Sequence, residues 1–231
     1  MLYRRSGLWT GRASGITIKI MRTKAIQLAL ALWAAGLVGA QDKPNILTPK
    51  ESAEGWTLLF DGKSLEGWES HPTFAAPATG EWSVEDGTIT CPGTTAGWLA
   101  TDATFSDFNL RLQFRGTEKV NSGVFLRSEK AGQPHQTGYE LQIWDYQPQG
   151  YNTGSLVGSL KASPVKIIPD KWNTYEITAV GDHFTIVLNG KTLLDARDSK
   201  HASGVIGLQC QKDNHIQFRN IRLLPLKNPR Q

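Results

Sequence analysis

At 231 residues, the chain has room for one large β-domain or two small ones, and its length alone does not decide between them. Only two cysteines are present, which excludes a disulfide-dense scaffold and a zinc site built from several cysteines. The formal net charge of +4 depends on basic residues near the amino terminus, so it does not by itself indicate a nucleic-acid partner.

The amino-terminal segment predicts a cleaved secretory signal. Arg22 and Lys24 precede an apolar run at residues 25–38, and small residues lead up to Ala40. The run is too short for a membrane span, which takes about 20 apolar residues. We therefore expect residues 1–40 to be a signal peptide, and the mature protein to be periplasmic or secreted with no membrane partner.

The start of the chain also changes the charge argument. Residues 1–20 have no place in an ordinary signal, so they are expected to be an over-extended start, with translation beginning at Met21. Removal of residues 1–40 takes away six basic residues and no acidic ones, which changes the net charge from +4 to −2. The sequence pI of about 9.1 therefore belongs to the precursor. No nucleic-acid partner is expected, and the oligomeric state stays open.

The mature chain is predicted to be one domain of short strands. Residues 41–52 are polar and contain proline, as is typical of a linker, so the domain is expected to cover residues 53–231. Asp86-Gly87 and Asn189-Gly190 are hairpin signals, because glycine takes the positive φ that a two-residue turn needs. Strands are predicted at residues 57–60, 82–84, 88–91, 108–114, 123–127, 139–145, 172–180, 183–189, 191–195, 205–210 and 215–224.

This succession of about a dozen short strands with frequent turn signals favours an all-β fold, a two-sheet antiparallel β-sandwich. No segment after the signal has the period of a long helix. Residues 146–169 carry several glycines and prolines, and they are predicted to form a long loop with room for one short strand. Loops of that length in compact domains are usually functional or mobile.

The two cysteines are expected to face the core. Cys91 and Cys210 each follow an apolar residue two positions earlier, Ile89 and Leu208, and side chains two apart share a strand face. An exported protein can oxidise such a pair, but the sequence does not say whether the two Cα atoms lie within bonding range. A disulfide and two buried free thiols both stay open.

Residues 121–145 combine two predicted strands with an unusual outer face. Apolar residues at every second position, such as Val124 and Leu126, should pack on the core. An ordinary solvated strand would carry Lys, Thr and Ser on its other face. The outer face expected here instead carries Phe125, Arg127, Glu140, Gln142 and Trp144. Together these side chains could bind and react with a polyhydroxylated ring.

Five motifs, in order along residues 53–226, resemble one family. They are GWTLLFDGKSLEGW at 55–68, NSGVFLR with GYELQIWD at 121–127 and 138–145, KWNTYEI at 171–177, LNGK at 188–191, and GVIGLQ with FRNIRL at 204–209 and 218–223. On these motifs the chain is similar to the 3-keto-disaccharide hydrolase domain family, formerly a domain of unknown function. The resemblance implies a concanavalin-like jelly roll, bacterial export, and activity on glycosides whose sugar carries a ketone at C3.

The chain departs from the family pattern after GLQ. There the pattern tends to continue with an acidic or small residue and then histidine, whereas this chain reads Gln209-Cys210-Gln211-Lys212-Asp213. If that histidine contributes to chemistry in relatives, this chain must use His215 instead or do without it.

The chemistry implied by the resemblance needs a group that moves protons. A C3 ketone acidifies the hydrogen on C2, so a base can remove it while the C1 substituent leaves, and hydration completes a net hydrolysis. Glu140 is the predicted base or acid. Arg127 is a candidate for stabilising the enolate oxygen or binding hydroxyls. Alternatively, the two form an exposed ion pair or an ordinary cross-strand contact.

Two further residues are candidates for catalysis. Asp145 falls on the core-facing side by strict alternation, so it stands at a strand end or is turned by a bulge, and capping a turn is its alternative role. His135 lies in the connecting loop, where a lone histidine is often only a surface residue. Glu140, Asp145 and His135 could also hold a divalent cation, although their spacing matches no recognised ligand signature. No other cofactor is implied.

The substrate is expected to contact aromatic, amide and guanidinium groups near these residues. Trp98 and Trp144 are the predicted stacking platforms. The full set of candidate substrate-binding residues is Asn121, Gln113, Arg111, Phe125, Gln142, Trp144, Trp98 and Gln209.

Three functions remain in view. The first is an exported carbohydrate-active enzyme, a glycoside hydrolase or lyase cleaving 3-keto-disaccharides and related 3-keto-glycosides. The second is a non-catalytic carbohydrate-binding module on the same sandwich, and the third is a structural module with no sugar site. A buried carboxylate with a shifted pKa facing a cleft favours the first, a shallow aromatic groove the second, and a flat charged sheet the third.

Overall fold

A computed structural model describes residues 44–73 and 79–227, so the predicted signal at residues 1–40 lies outside the described residues. Two short helices are present, α1 (Pro49–Glu54) and α2 (Pro134–Thr137). The strands are β1 (Thr57–Leu58), β2 (Trp68–His71), β3 (Ser83–Glu85), β4 (Thr88–Cys91), β5 (Gly97–Phe105), β6 (Phe108–Gly116), β7 (Ser122–Ser128), β8 (Tyr139–Ile143), β9 (Asn173–Val180), β10 (His183–Leu188), β11 (Lys191–Arg197), β12 (Gly204–Cys210) and β13 (Ile216–Pro225). Over these described stretches, no helix has both the length and the apolar character needed to cross a membrane.

The strands form two antiparallel sheets that pack face to face. The eight-stranded sheet has the order β11-β10-β9-β6-β13-β4-β3, with β1 paired to β13, and the five-stranded sheet has the order β2-β5-β12-β7-β8. Neighbours along these orders are often far apart in sequence, so the connections cross between the sheets. This confirms the all-β, two-sheet antiparallel β-sandwich.

The core between the sheets is built from the residues that period-two alternation selects. Along five of the predicted strands the alternation selects ten apolar side chains for the core, and all ten are buried: Leu110, Leu112, Val124, Leu126, Leu141, Ile143, Ile186, Leu188, Ile206 and Leu208. A one-residue slip of any strand would turn its whole apolar set towards water. The alternation therefore determines which face of each strand remains for function.

The hairpin predictions are confirmed by backbone geometry. Asp86-Gly87 joins β3 to β4 with φ values of 47° and 72°, and Asn189-Gly190 joins β10 to β11 with 49° and 79°. Positive φ at both central positions is what the two-residue turns of twisted hairpins need. In residues 146–169 the described pairing is limited to isolated bridges made by Leu156 with Leu141 and Leu160.

Two strands, β2 and β5, were not predicted. The first five residues of β5 are buried on both faces, so the alternation that marks a half-solvated strand is absent there. These two strands complete one side of the five-stranded sheet.

The segment predicted to be a linker is part of the domain. Thr48 and Glu51 form a capping box that starts α1, and the buried Glu51 carboxylate accepts a hydrogen bond from Arg222 at 2.8 Å. Asn45 is also buried, and its side-chain Oδ1 accepts from the Asn220 amide at 2.8 Å. The assignment of residues 41–52 as a linker was therefore wrong for this stretch, because polar residues here hydrogen bond to β13 instead of to water.

Cys91 and Cys210 form a disulfide that joins the two sheets. Their Cα atoms lie 5.7 Å apart, within the range for a disulfide. Cys91 ends β4 in the eight-stranded sheet, and Cys210 ends β12 in the five-stranded sheet. The sequence left open whether the two cysteines form a disulfide or stay as buried free thiols, and the structure shows the disulfide.

Candidate functional site

The candidate site lies on the outer face of the five-stranded sheet. Across β8, β7, β12 and β5, the pairing places Glu140 beside Phe125, and Phe125 beside Gly207. Two residues beyond Gly207 on β12, Gln209 pairs with Trp98 of β5. Because these residues alternate with core-facing neighbours, their side chains share the face that points away from the core.

Two glycines leave room on this face for the side chains of neighbouring strands. A Cβ atom at Gly123 would come within 3.1 Å of Glu140 Cγ, and a Cβ at Gly207 within 2.7 Å of the Trp98 ring. The absence of side chains at these positions lets Glu140 and Trp98 lie flat across neighbouring strands. The glycines are therefore part of what shapes the site.

Helix α2 lies at one side of this face and contributes to the lining of an open cavity of about 150 Å³. The buried Ser128 hydroxyl donates a 2.8 Å hydrogen bond to the Pro134 carbonyl, which fixes the start of α2 against β7. The helix thereby carries His135 to the cavity wall. The cavity is lined by Thr73, Phe125, Gln133, Pro134, His135, Gln209 and Gln211.

Glu140 is the most perturbed carboxyl group at this face. Only 8% of the residue is exposed, and its Oε1 accepts a hydrogen bond from Gln209 Nε2 at 3.1 Å. Burial raises the pKa of Glu140 to about 7, while the bond from Gln209 acts in the opposite direction by favouring the carboxylate. A carboxyl group that titrates near neutral pH can both accept and donate a proton in catalysis.

The raised pKa makes the stability of the protein depend on pH. Between about 4.5 and 7, the folded protein keeps a proton on Glu140 that the unfolded chain releases, so the free energy of unfolding falls as pH rises. We expect Glu140→Gln to remove that loss. The variant should be about 3 kcal/mol more stable than the parent at pH 8 and about equally stable at pH 4.

Denaturant unfolding of both proteins at the two pH values measures this effect. Glu129→Gln, which changes an exposed glutamate after β7, is the matched control and should show no such difference. An equal gain for Glu140→Gln at pH 4 and pH 8 would mean that burial of the carboxylate is not its cause.

The cavity wall also presents polar atoms without a partner. Within residues 44–73 and 79–227, the buried atoms Gln209 Oε1 and Thr73 Oγ1 have no hydrogen-bond partner. Buried polar atoms are nearly always hydrogen bonded in folded proteins, and an exception calls for an explanation. Both residues line the cavity, so the surroundings of the cavity include polar groups as well as the Phe125 ring.

His135 also lines this cavity, and its catalytic role stays a prediction. Burial lowers the pKa of its imidazole, so the ring is neutral at pH 7. Glu140 bonds to Gln209, and Gln209 and His135 both line the cavity. Gln209 therefore links the Glu140 carboxyl group to the cavity that His135 lines.

Arg127 does not share the face of Glu140, so its expected position was wrong. Val205 pairs with Ser128 and Ile206 with Leu126, which leaves Arg127 as a bulged residue with φ of 54°. Its side chain is 1% exposed, and its guanidinium lies over the ring of the core residue Phe184. The guanidinium donates hydrogen bonds to the carbonyl oxygens of Ser106, Gly181 and His201 and to the carboxylate of Asp107.

Arg111 and Gln113 also lie away from the site. Both are on β6, which belongs to the eight-stranded sheet, so they face the opposite side of the sandwich. Arg111 forms an ion pair with Glu176 at 3.2 Å, and Gln113 Oε1 accepts from Arg219 at 2.9 Å. The expectation that they lie near Glu140 was wrong. Alternation shows that their side chains face away from the core, but it does not show which sheet their strand joins.

Asp145 stands just beyond the end of β8, one of the two positions expected for it. Its Oδ1 accepts from the Thr153 hydroxyl, and its Oδ2 accepts from the Ile167 amide at 3.0 Å. Both oxygens thus hold the long loop in place. Asp145, Glu140 and His135 are not gathered as ligands, and among the described residues no group of three His, Cys, Asp or Glu side chains could hold a metal ion.

The aromatic and amide residues predicted to contact the substrate lie in different surroundings in the structure. Trp98 is on the expected face but fully buried, packed edge-on against Phe125 with ring centroids 5.5 Å apart, so it offers no open platform. Gln142 is buried, and its Oε1 accepts from the Ile143 amide. The Asn121 amide donates to Asn214 Oδ1 at 2.7 Å. Trp144 lines a second cavity, described below.

Sequence reasoning missed Thr73 and Gln211 at the cavity. Gln211 lies two residues after Gln209, so the strand period could have identified it. Thr73 follows β2, which was not predicted, and no local signal marks it. Its place at the cavity depends on the pairing of β2 with β5.

Comparison with known proteins bears on both family and fold. The model of a family described as the 3-keto-alpha-glucoside-1,2-lyase-like domain matches residues 55–224. A curated relative named 3-keto-disaccharide hydrolase, from Bacteroides thetaiotaomicron, is 26% identical over 98 residues. That match covers 38% of this chain, and it spans 33% of the length of the relative.

Solved structures share the sandwich. The structure of a candidate glycosyl hydrolase from Parabacteroides distasonis ATCC 8503 has a TM-score of 0.69 at 23% identity, and the match covers 80% of this chain and 100% of that one. The carbohydrate binding module CBM66 from Bacillus subtilis has a TM-score of 0.52 at 20% identity, over 68% and 94% of the two chains. These likenesses confirm the jelly-roll fold.

Proposed function

The chain belongs to the 3-keto-alpha-glucoside-1,2-lyase-like domain family, and from that premise we propose that it cleaves the glycosidic bond of 3-keto-glycosides with Glu140 as the proton-transfer group. The observation that carries this proposal is a buried carboxyl group with a pKa near 7, hydrogen bonded to Gln209, which lines a cavity. A carbohydrate-active role is supported by the family and by the curated relative.

The reaction can be written with all atoms balanced. Ionised Glu140 removes the hydrogen from C2, which the neighbouring C3 ketone makes acidic, and the electron pair forms an enolate. Collapse of the enolate creates a C1=C2 double bond while the C1–O bond breaks, and the leaving oxygen takes up the proton that Glu140 removed, which restores the ionised carboxylate. Addition of water across the double bond then gives the same products as hydrolysis.

Two neighbours have roles that follow from their placement. Gln209 Nε2 orients the Glu140 carboxylate, and its free Oε1 can accept a hydrogen bond from a sugar hydroxyl. The neutral imidazole of His135 can donate to the oxygen on which enolate charge develops, because a neutral ring keeps one N–H. In this account no step depends on Arg127, Arg111 or Gln113.

Incubation of the purified protein with a panel of 3-keto-disaccharides, with and without a chelator, tests the activity. Chromatography should show release of the leaving sugar, and an unsaturated keto sugar should appear if elimination precedes hydration. The same disaccharides without the ketone are the matched controls and should stay intact, because their C2 hydrogen is not acidic. Lack of cleavage across the whole panel would rule the proposal out.

Carbohydrate binding without catalysis is the second candidate. The aromatic rings of Trp144 and Tyr146 beside a cavity favour it, since sugar sites combine apolar surface with a few polar groups. It predicts that the parent protein binds disaccharides and cleaves none of them. A flat charged sheet would be needed for the third, purely structural role, and the cavity lined by Phe125, His135 and Gln209 does not fit that description.

We also propose that the protein is exported. The order of basic, apolar and small residues up to Ala40 supports this, and so does the Cys91–Cys210 disulfide, since disulfides persist mainly in oxidising compartments. Intact-mass analysis of protein recovered from outside the cytoplasm of a bacterial host should give a chain that begins at Gln41. A mass that still includes residues 21–40 would count against the proposal.

A further inference from the structure

A second cavity lies where β8 ends. Its volume is about 340 Å³, and it is lined by Glu118, Lys119, Trp144 and Tyr146. Two aromatic rings thus meet two charged side chains of opposite sign in one concave surface. Nothing in the reaction at Glu140 uses these four residues.

The ring of Tyr146 is held in place while remaining open to solvent. Tyr146 is 47% exposed, yet its hydroxyl donates to Glu118 Oε1 at 2.6 Å and accepts from Lys166 Nζ at 3.1 Å. The Lys166 ammonium also lies 4.9 Å from the ring centroid, a cation–π distance. An exposed aromatic ring that is already oriented loses little conformational freedom when a ligand stacks on it.

The cavity continues the face that carries Glu140. The Thr153 amide donates to the Trp144 carbonyl at 3.1 Å, and the Gly154 amide donates to the Gln142 carbonyl at 3.0 Å, so the chain stays extended through Trp144. Glu140, Gln142 and Trp144 therefore alternate along one face. Four residues of strand place Trp144 about 13 Å from Glu140 along the backbone.

We propose that Trp144 and Tyr146 form the subsite for the leaving group of the substrate, the second sugar ring of a disaccharide. This inference rests on the proposed function, because it takes Glu140 as the reacting end. Because Glu140 must contact C2 of the ring being deprotonated, a ring that stacks further along the face would be the one joined to it through C1. Pyranose rings present C–H faces to aromatic rings, and Glu118 and Lys119 at the rim can bind their hydroxyl groups.

Two substrates that differ only in the leaving group test the subsite. They are an α-linked 3-keto-glucosyl-glucose and the corresponding methyl 3-keto-glucoside. Trp144→Ala and Tyr146→Ala should each lower kcat/KM about 5- to 10-fold more for the disaccharide than for the methyl glycoside. Tyr146→Phe, which keeps the ring, should recover most of that difference.

Tyr151→Ala is the matched control. Tyr151 has its own lysine partner, Lys161, at 5.0 Å from the ring, but it does not line this cavity. It should leave the ratio between the two substrates unchanged. Equal losses on both substrates for Trp144→Ala and Tyr146→Ala, or no loss on either, would overturn the subsite.

A binding measurement separates failure of the subsite from failure of the proposed reaction. Calorimetric titration with the unoxidised disaccharide and with methyl α-glucoside needs no turnover. Stronger binding of the disaccharide by the parent, lost in Tyr146→Ala and kept in Tyr151→Ala, would support the subsite even if no keto sugar is cleaved. Identical binding of the disaccharide by all three proteins would overturn it, whatever the activity.

Discussion

Replacement of Glu140 by glutamine is expected to lower the turnover of a 3-keto-disaccharide by about 10²- to 10⁴-fold, or roughly 3 to 5 kcal/mol of barrier. The amide keeps the shape of the side chain and can still accept the hydrogen bond from Gln209 Nε2. It removes only the oxygen that titrates. Substrate binding should therefore change little, and the loss should fall on kcat.

The pH profile gives this prediction a second readout. Because the base must be ionised, kcat/KM of the parent should rise with pH and level off above about 7, the pKa to which burial raises Glu140. The residual activity of Glu140→Gln should not show this rise of kcat/KM with pH. If Glu140 instead acts as a general acid, kcat/KM should fall as pH rises through the same pKa.

Glu129→Gln serves as the matched control for activity as well, because it makes the same chemical change at an exposed position. It should keep both the rate and the pH profile of the parent. If Glu140→Gln retained nearly full activity, the assignment of Glu140 would be wrong, and His135, which lines the same cavity, would be the next residue to replace.

Removal of the disulfide is expected to lower the free energy of unfolding by about 4 to 5 kcal/mol. The bond closes a loop with a sequence separation of 119 residues, and the chain-entropy model gives an effect of that size for such a loop. The bond also joins the two sheets directly. Guanidinium unfolding of the parent with and without a reductant measures the effect through the shift of the midpoint.

A double variant, Cys91→Ala with Cys210→Ala, separates loss of the bond from other effects of the reductant. It should unfold at a lower denaturant concentration than the oxidised parent, and the reductant should not change its midpoint. Coincident transitions for the parent under both conditions would show that the bond contributes nothing to stability.

The sequence alone determined the fold class and the core. Side-chain alternation depends only on local backbone geometry, so it identified the ten core residues and the outward direction of Glu140. Asp86-Gly87 and Asn189-Gly190 were identifiable for the same reason, since the sterics of two residues decide the turn. These features need no knowledge of distant contacts.

Sheet order was decided only by the tertiary structure. Arg111 and Gln113 have the pattern of site residues, but β6 pairs with β9 and β13 in the other sheet. Which distant strands pair depends on how the whole chain buries its apolar surface. The sequence of a single strand therefore does not specify its partners. Trp98 became buried for a similar reason, because His71 from β2 and Phe125 from β7 pack against its ring.

The position of Arg127 and the properties of Glu140 also required the assembled protein. A bulge at Arg127 turned its side chain from the outer face into the core, and strict alternation along β7 cannot foresee a bulge within that strand. The pKa of Glu140 depends on burial and on Gln209, which lies 69 residues further along the chain. Local sequence placed the carboxyl group on the right face, and contacts between distant strands gave it a pKa near neutral, because desolvation is a property of the folded surroundings.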